Sequence, residues 1–212
     1  MNEEQQRRVV AAAETFVREV LGGDSSGHDW WHIARVRTMA RRLAREEGAD
    51  AFICELAALL HDVADDKVAG DEETGLRTVR AWLAEQAVDV ETTARVMAII
   101  ETMSFGGGNR PPMATLEGRV VQDADRLDAI GAIGVARAFA FGGSRGRALY
   151  DPTQPPREYA SKAEYRASDS STINHFHEKL LRLKDRMNTE TGRRLAAARH
   201  AYMEAFLAEF AA

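Results

Sequence analysis

Histidine and aspartate residues occur in this sequence at spacings that suit a divalent metal ion. His61 and Asp62 are adjacent and directly follow the apolar run AALL, while His32 precedes them and the acidic segment VQDADRLDAI (121–130) follows. Neutral imidazole suits first-row transition metals, and carboxylate suits harder ions such as Mg²⁺ and Mn²⁺. A polar pair after a buried stretch should lie at the edge of the core, where it can hold a ligand rigidly. The sequence therefore indicates a metal site.

Two further acids follow this pair. Asp65 and Asp66 come four residues after His61 and Asp62, so a continuous helix would stack each acid against the earlier residue. Taken alone, each feature has a simpler interpretation, because a lone histidine is usually structural and clustered aspartates usually cap helices or face solvent. The joint spacing H-x₂₈-HD-x₆₂-D, with acids just after HD, favours the metal site.

This spacing resembles that of the HD-domain superfamily of metal-dependent phosphohydrolases, whose pattern is H…HD…D. Within the superfamily, the chain is similar to a small bacterial subgroup that includes YedJ and YpgQ, and the similarity spans nearly its full length. The segments that carry it are HDWWHIARV (28–36), LAALLHDVADDK (56–67), VQDADRLDAIGAIGVARAF (121–139), LYDP (149–152) and INHFHEKLLRLKDRMNTETG (173–192).

The resemblance implies a metal site with four ligands. Asp125 is preferred to Asp123 and Asp128 because it occupies the aspartate of the superfamily's ADRL segment. The ion expected is one divalent metal, Mn²⁺ by preference, with Ni²⁺, Co²⁺, Fe²⁺ and Mg²⁺ as the other candidates. The implied ligands are His32, His61, Asp62 and Asp125.

The resemblance also implies catalytic residues, whereas charge and position near the motifs indicate the substrate-binding candidates. Asp65 and Asp66 match an acidic pair that positions or activates the attacking water. Phosphate binding requires cationic or hydrogen-bonding side chains near these motifs, and one departure from the subgroup is Gly106, which stands where a lysine is expected. The candidates for substrate binding are Arg35, Lys67, His28, Arg145 and Arg147.

By this resemblance the substrate is a nucleoside or deoxynucleoside triphosphate, cut between the α and β phosphates to release pyrophosphate. Two alternatives stay open: a phosphomonoesterase that acts on nucleoside monophosphates, and a non-catalytic metal-binding sensor module. A zinc protease is disfavoured, because the HDWWH segment has Asp29 where the H-E-x-x-H motif needs a longer glutamate.

Helices must position these residues. Apolar residues recur at helical spacing along the chain, and sustained alternation is absent, so we predict one all-α domain over residues 1–212. The first stripe comprises Val9, Ala13, Phe16 and Val20. The last two stripes comprise Phe176, Leu180, Leu183 and Met187, and then Leu195, Tyr202 and Phe206. Two loops interrupt the pattern, at 104–112 and at 142–170, and the second is expected to be a lid or an oligomer contact.

Composition limits the class of partner. Hydrophobic residues make up 45% and charged residues 29%, a globular balance, and the net charge of −5 argues against binding to duplex nucleic acid. The sequence contains no run of 18 apolar residues, so it predicts no membrane helix. The single cysteine, Cys54, fits a reducing cytoplasm. We therefore expect a cytoplasmic protein that binds a nucleotide or another phosphorylated small molecule, with a homodimer as a possible assembly.

Overall fold

The computed structural model describes residues 1–21, 29–103, 112–159, 164 and 169–211, with the backbone alone for Asp66 and Lys67. Within those ranges the chain is helical and contains no strand, so the predicted all-α class is confirmed. The single domain over 1–212 stays a prediction. The helices are α1 (Glu3–Leu21), α2 (Trp30–Glu47), α3 (Ala51–Leu60), α4 (Asp66–Ala69), α5 (Glu72–Glu85), α6 (Val90–Thr102), α7 (Leu116–Asp128), α8 (Gly131–Ser144), α9 (Thr172–Glu178) and α10 (Glu190–Phe210).

Helix α3 lies at the centre of the core and packs against α1, α2, α6 and α7. Its residues Ile53, Cys54 and 56–60 are buried, which explains why this segment is apolar almost without interruption. Burial raises the pKa of the Cys54 thiol to about 12, so this cysteine is an unreactive core residue at neutral pH. The central position of α3 places its C-terminal end, where the HD pair begins, against α2 and α7.

Side-chain caps set the beginnings of the helices around α3. Asp29 caps α2 by accepting a hydrogen bond from the backbone N–H of His32 at 2.9 Å, so the first turn of α2 is anchored at the histidine itself. Asp50 caps α3 in the same way, and α2 ends at Gly48, whose φ of 75° is a left-handed conformation that glycine adopts without strain.

Two details of the predicted helical stripes are wrong. In α1, Val20 is 39% exposed, whereas Val17 and Leu21 are buried, so the core-facing stripe follows steps of four residues from Val9. In α10, Tyr202 is 51% exposed and Met203 takes the core position. Both differences arise because the packing partner decides which side of a helix is covered. Consecutive residues point only about 100° apart around the helix axis, so the sequence does not settle which of two neighbouring apolar residues faces the core.

The C-terminal part departs further from the prediction. The segment predicted as one helix over Phe176–Met187 consists of the end of α9 followed by two 3₁₀ turns, Leu180–Arg182 and Lys184–Arg186. The stripe residues Phe176, Leu180, Leu183 and Met187 are nevertheless buried, because a spacing of three to four residues also suits consecutive 3₁₀ turns.

Both predicted loops are partly described. Helix α8 continues through Ser144, so the second loop begins later than the predicted Gly142. Its end is tied to α9, because the buried Glu178 carboxylate accepts hydrogen bonds from the Ser170 hydroxyl at 2.7 Å and the Arg157 N–H at 3.0 Å. The proposed role of 142–170 as a lid or oligomer contact stays a prediction. Residues 104–111, including Gly106, lie outside the described residues.

A buried carboxylate holds α10 to α7. Asp123 is fully buried and accepts hydrogen bonds from the backbone N–H groups of Asn188 and Thr189, each at 2.8 Å, and from both of their side chains. Thr189 is the N-cap of α10, so this carboxylate fixes where the last helix begins. Among the described residues, no helix is long and apolar enough to cross a bilayer.

We predict that Asp123→Ala lowers the free energy of unfolding by about 3 kcal/mol, because several buried donors lose a charged acceptor. Urea denaturation measures the change. Asp89→Ala is the control, since Asp89 caps α6 at an exposed position and its loss should cost about 1 kcal/mol. Equal effects of the two substitutions would contradict the assigned role of Asp123.

Candidate metal centre

Three helix ends bring together the residues predicted to bind metal. His32 lies in the first turn of α2, and Asp125 lies near the C-terminal end of α7. His61 and Asp62 begin a 3₁₀ turn, His61–Ala64, that directly continues α3. We call this segment the 61–64 turn. His32, His61 and Asp62 are buried, and the Asp125 side chain is 35% exposed.

The distances within this group are short. His32 Nε2 lies 3.5 Å from an oxygen of Asp62 and 3.5 Å from Asp125 Oδ1. His61 Nε2 lies 3.2 Å from Asp62 Oδ1 and 3.9 Å from Asp125 Oδ1. His32, His61 and Asp62 each place one ligand atom within 4.8 Å of the ligand atoms of the other two, so these three residues could hold one metal ion. We refer to His32, His61, Asp62 and Asp125 as the four-residue cluster.

Both imidazole rings are oriented through their Nδ1 atoms. His61 Nδ1 lies 2.9 Å from the backbone carbonyl oxygen of Ala58, and His32 Nδ1 lies 2.7 Å from Asp128 Oδ2. Each of these oxygens accepts a hydrogen bond, so in the neutral rings Nδ1 carries the proton and Nε2 presents its lone pair. Both Nε2 lone pairs therefore point into the four-residue cluster.

The cluster has the electrostatics of a cation site. His61 Nε2 is buried and has no partner of hydrogen-bonding geometry among the described residues, although a carboxylate oxygen lies nearby. Burial lowers the pKa of His61, but the negative charges of Asp62 and Asp125 outweigh it and raise the pKa to about 9. The raised pKa means that the cluster attracts positive charge, which either a proton on His61 or a metal cation between the nitrogens and the carboxylates supplies. The residues present thus fit a divalent metal ion.

Asp128 supports the cluster from outside. Its carboxylate accepts hydrogen bonds from His32 Nδ1, from Arg35 Nε at 2.7 Å and Nη2 at 3.1 Å, and from Arg137 Nη1 at 2.9 Å. Burial would raise the pKa of Asp128, but these hydrogen bonds and the neighbouring positive charges hold that pKa well below its ordinary value. Asp128 is therefore ionised at neutral pH.

The residues predicted to bind substrate lie in different surroundings. Arg35 is 37% exposed and uses two of its donors on Asp128. Arg145 and Arg147 lie just after α8, and their guanidinium carbons are 5.5 and 5.6 Å from the centre of the Phe141 ring. His28 and the Lys67 side chain lie outside the described residues. Substrate binding by these five residues stays a prediction.

The helical stacking predicted for the acids after the HD pair is wrong. Helix α3 ends at Leu60, the 61–64 turn is 3₁₀, and Asp65 is extended with ψ of 134°. The Asp65 N–H donates to the Asp62 carbonyl oxygen at 3.1 Å and so ends that turn before α4 begins at Asp66. The catalytic roles of Asp65 and Asp66 therefore cannot be argued from i,i+4 spacing, and they stay predictions.

Sequence reasoning missed two residues that support the cluster. It treated Asp128 as an alternative ligand, although a position three residues after Asp125 lies near the same side of α7. It also missed Gly75 of α5, where a Cβ would lie 2.7 Å from the Cα of Ala64. A glycine inside an amphipathic helix is the available signal for such a close approach. Gly75 lets α5 pack directly on the 61–64 turn.

Comparisons with known proteins agree with the helical fold. Residues 30–130 match the model of the HD domain family. YpgQ of Bacillus subtilis, an uncharacterized protein, is 43% identical over 196 residues, which cover 91% of this chain and 87% of YpgQ. A structure from Lactobacillus plantarum superposes with a TM-score of 0.88 at 42% identity, covering 99% of this chain and 96% of that one.

Two other solved structures are also similar to this chain. An HD-superfamily hydrolase from Bacillus thuringiensis superposes with a TM-score of 0.76 at 46% identity, and the coverage is 97% of this chain and 96% of the other. The structure of Bacillus subtilis YpgQ in complex with ADP superposes with a TM-score of 0.78 at 39% identity, covering 97% of this chain and 95% of YpgQ.

We predict that Gly75→Ala lowers metal affinity by roughly tenfold, because the added methyl group displaces the turn that carries His61 and Asp62. It should also cost about 1–3 kcal/mol of stability through overpacking. Titration with Mn²⁺ and urea denaturation measure the two effects. Gly143→Ala in α8 is the matched control, since no atom beyond its chain neighbours and its own helical backbone lies within 4 Å of its added Cβ. Equal affinities in the two variants would contradict the role given to Gly75.

Proposed function

The chain belongs to the HD-domain family and is a metal-dependent phosphohydrolase, and we propose that it hydrolyses nucleoside or deoxynucleoside triphosphates to release pyrophosphate. The observation that carries the proposal is the four-residue cluster, in which both Nε2 lone pairs face carboxylates at 3.2–3.9 Å. The ADP complex of the similar protein YpgQ supports a nucleotide as the class of substrate.

In this proposal the four-residue cluster holds one divalent ion, Mn²⁺ by preference. When bound, such an ion polarises a phosphoryl oxygen and lowers the pKa of a coordinated water. Asp125 is the most exposed member of the cluster, with 35% of its side chain accessible, so the substrate would approach from its side. Asp65 and Asp66 would orient the attacking water and accept its proton.

The charges around Asp128 suit a phosphate-bearing substrate. Two guanidinium groups, from Arg35 and Arg137, face this one carboxylate, so positive charge is concentrated here although the chain is acidic. Arg35 is partly exposed and lies one helical turn after His32 on α2. We infer that it contributes to phosphate binding while it remains paired with Asp128. The remaining proposed contacts are Lys67, His28, Arg145 and Arg147.

We predict that pyrophosphate is the first product from at least one nucleoside triphosphate. The assay tests NTPs, dNTPs, NMPs and activated phosphodiesters with Mn²⁺, Ni²⁺, Co²⁺ and Mg²⁺, and measures pyrophosphate and orthophosphate separately. His61→Ala is the control, because loss of one ligand should abolish both metal binding and turnover. Orthophosphate released from NMPs, with no pyrophosphate from triphosphates, would replace the proposal with the phosphomonoesterase.

A second prediction separates a metal ligand from a proton acceptor. Asp62→Asn should bind metal poorly, since it removes a charge and a coordinating oxygen. Asp66→Asn should keep its metal and its affinity for substrate while kcat falls by roughly 10²–10⁴-fold, the usual worth of general acid–base assistance. Asp65→Asn should behave like Asp66→Asn or more mildly. Metal stoichiometry and kcat are measured for all three variants.

The outcomes of that comparison are distinct. Wild-type turnover in both Asp65→Asn and Asp66→Asn would show that proton transfer does not depend on either acid. Loss of metal in Asp66→Asn would instead place Asp66 among the ligands.

A further inference from the structure

We propose that Asp128 is a positioning residue of the metal centre, which holds the His32 ring so that Nε2 faces Asp62 and Asp125. This proposal rests on the proposed metal site but not on the identity of the substrate. In it, Asp128 is not a ligand and does not touch the nucleotide. It acts on the affinity of the site for its ion, and it also holds Arg35, the proposed phosphate contact.

The contact between Asp128 and His32 is short and shielded from water. The two side chains are 6% and 1% exposed, and the distance from Nδ1 to Oδ2 is 2.7 Å. The residues are 96 positions apart in the chain and join α2 to α7. Because Nδ1 is the proton-bearing nitrogen in this arrangement, the hydrogen bond fixes both the tautomer and the direction of the ring.

Asp128 is itself held by two arginines. Oδ1 accepts from Arg35 Nε, and Oδ2 accepts from Arg35 Nη2, Arg137 Nη1 and His32 Nδ1. Arg35 comes from α2 and Arg137 from α8, so the carboxylate is fixed from both neighbouring helices. It cannot rotate without breaking charge-assisted hydrogen bonds, which are the stronger kind.

The two histidines of the cluster are therefore positioned differently. His61 Nδ1 faces a backbone carbonyl oxygen three residues earlier, at Ala58, so local helical structure orients that ring. The orientation of His32 depends on a side chain from another helix. A substitution at Asp128 should thus affect metal binding without altering the 61–64 turn.

The primary test measures the dissociation constant for Mn²⁺ in Asp128→Asn, with no nucleotide present. Asparagine offers one acceptor oxygen in place of two, and its NH₂ group would face other N–H donors. It therefore cannot accept hydrogen bonds from His32 and both arginines together. We expect the dissociation constant to rise about 10- to 100-fold, the usual effect of removing such a supporting carboxylate. An unchanged dissociation constant in a folded Asp128→Asn protein would overturn the proposal.

Asp123→Asn is the matched control for a general loss of stability. Asp123 is a buried carboxylate on the same helix and accepts hydrogen bonds from Asn188 and Thr189 rather than from the cluster. Its replacement should lower the urea midpoint and leave the dissociation constant for Mn²⁺ within about twofold of wild type. If both variants lose affinity in proportion to their loss of stability, Asp128 acts on folding alone and the proposal is wrong.

A measurement on the wild-type protein keeps the proposal testable if Asp128→Asn does not fold. The protein is labelled with ¹⁵N-histidine and loaded with diamagnetic Zn²⁺. We expect His32 to show a slowly exchanging proton on Nδ1 and coordination through Nε2, and coordination through Nδ1 would overturn the proposal. Both tests report on metal rather than turnover, so failure of the proposed nucleotide chemistry would leave their results readable.

Discussion

The demand for positive charge at one buried point, created by carboxylates and imidazole nitrogens held close together, is the constraint on which this structure depends. Four side chains from three parts of the chain place nitrogen and oxygen atoms 3.2–3.9 Å apart in a largely buried setting. Unless a proton or a metal cation lies between them, such groups repel more strongly in the interior than they would in water. Only a rigid surrounding structure can hold them in place before a cation arrives, and that surrounding structure is what the helices supply.

The rigidity comes from apolar packing and from backbone caps. Helix α3 is buried along most of its length, so its C-terminal end and the 61–64 turn have little freedom to move. Asp29 caps α2 at the N–H of His32, and Gly75 allows α5 to lie against Ala64. Each of these contacts holds a different part of the backbone around the site in place. The site is thus a consequence of how the helices meet.

Charge is distributed around the site in two layers. The inner layer is negative and suits a cation, whereas the outer layer contains the guanidinium groups of Arg35 and Arg137, which are paired with Asp128. Asp128 connects the layers because it contacts both the arginines and His32. A net charge of −5 for the whole chain therefore coexists with guanidinium groups concentrated beside the cation site.

The sequence by itself determined the helical class and the residue types of the four-residue cluster. Helical periodicity and the HD spacing are both patterns of residue types along the chain, and neither depends on which surfaces meet. It did not determine the 3₁₀ geometry after Leu60, the exposure of Val20, or the role of Asp128. Those depend on which surfaces meet in the folded molecule. Asp123, Asp125 and Asp128 show the reason: they have the same chemistry and lie on the same helix, yet one anchors α10, one faces the histidines and one supports His32. Only the tertiary structure decides which neighbour each carboxylate meets.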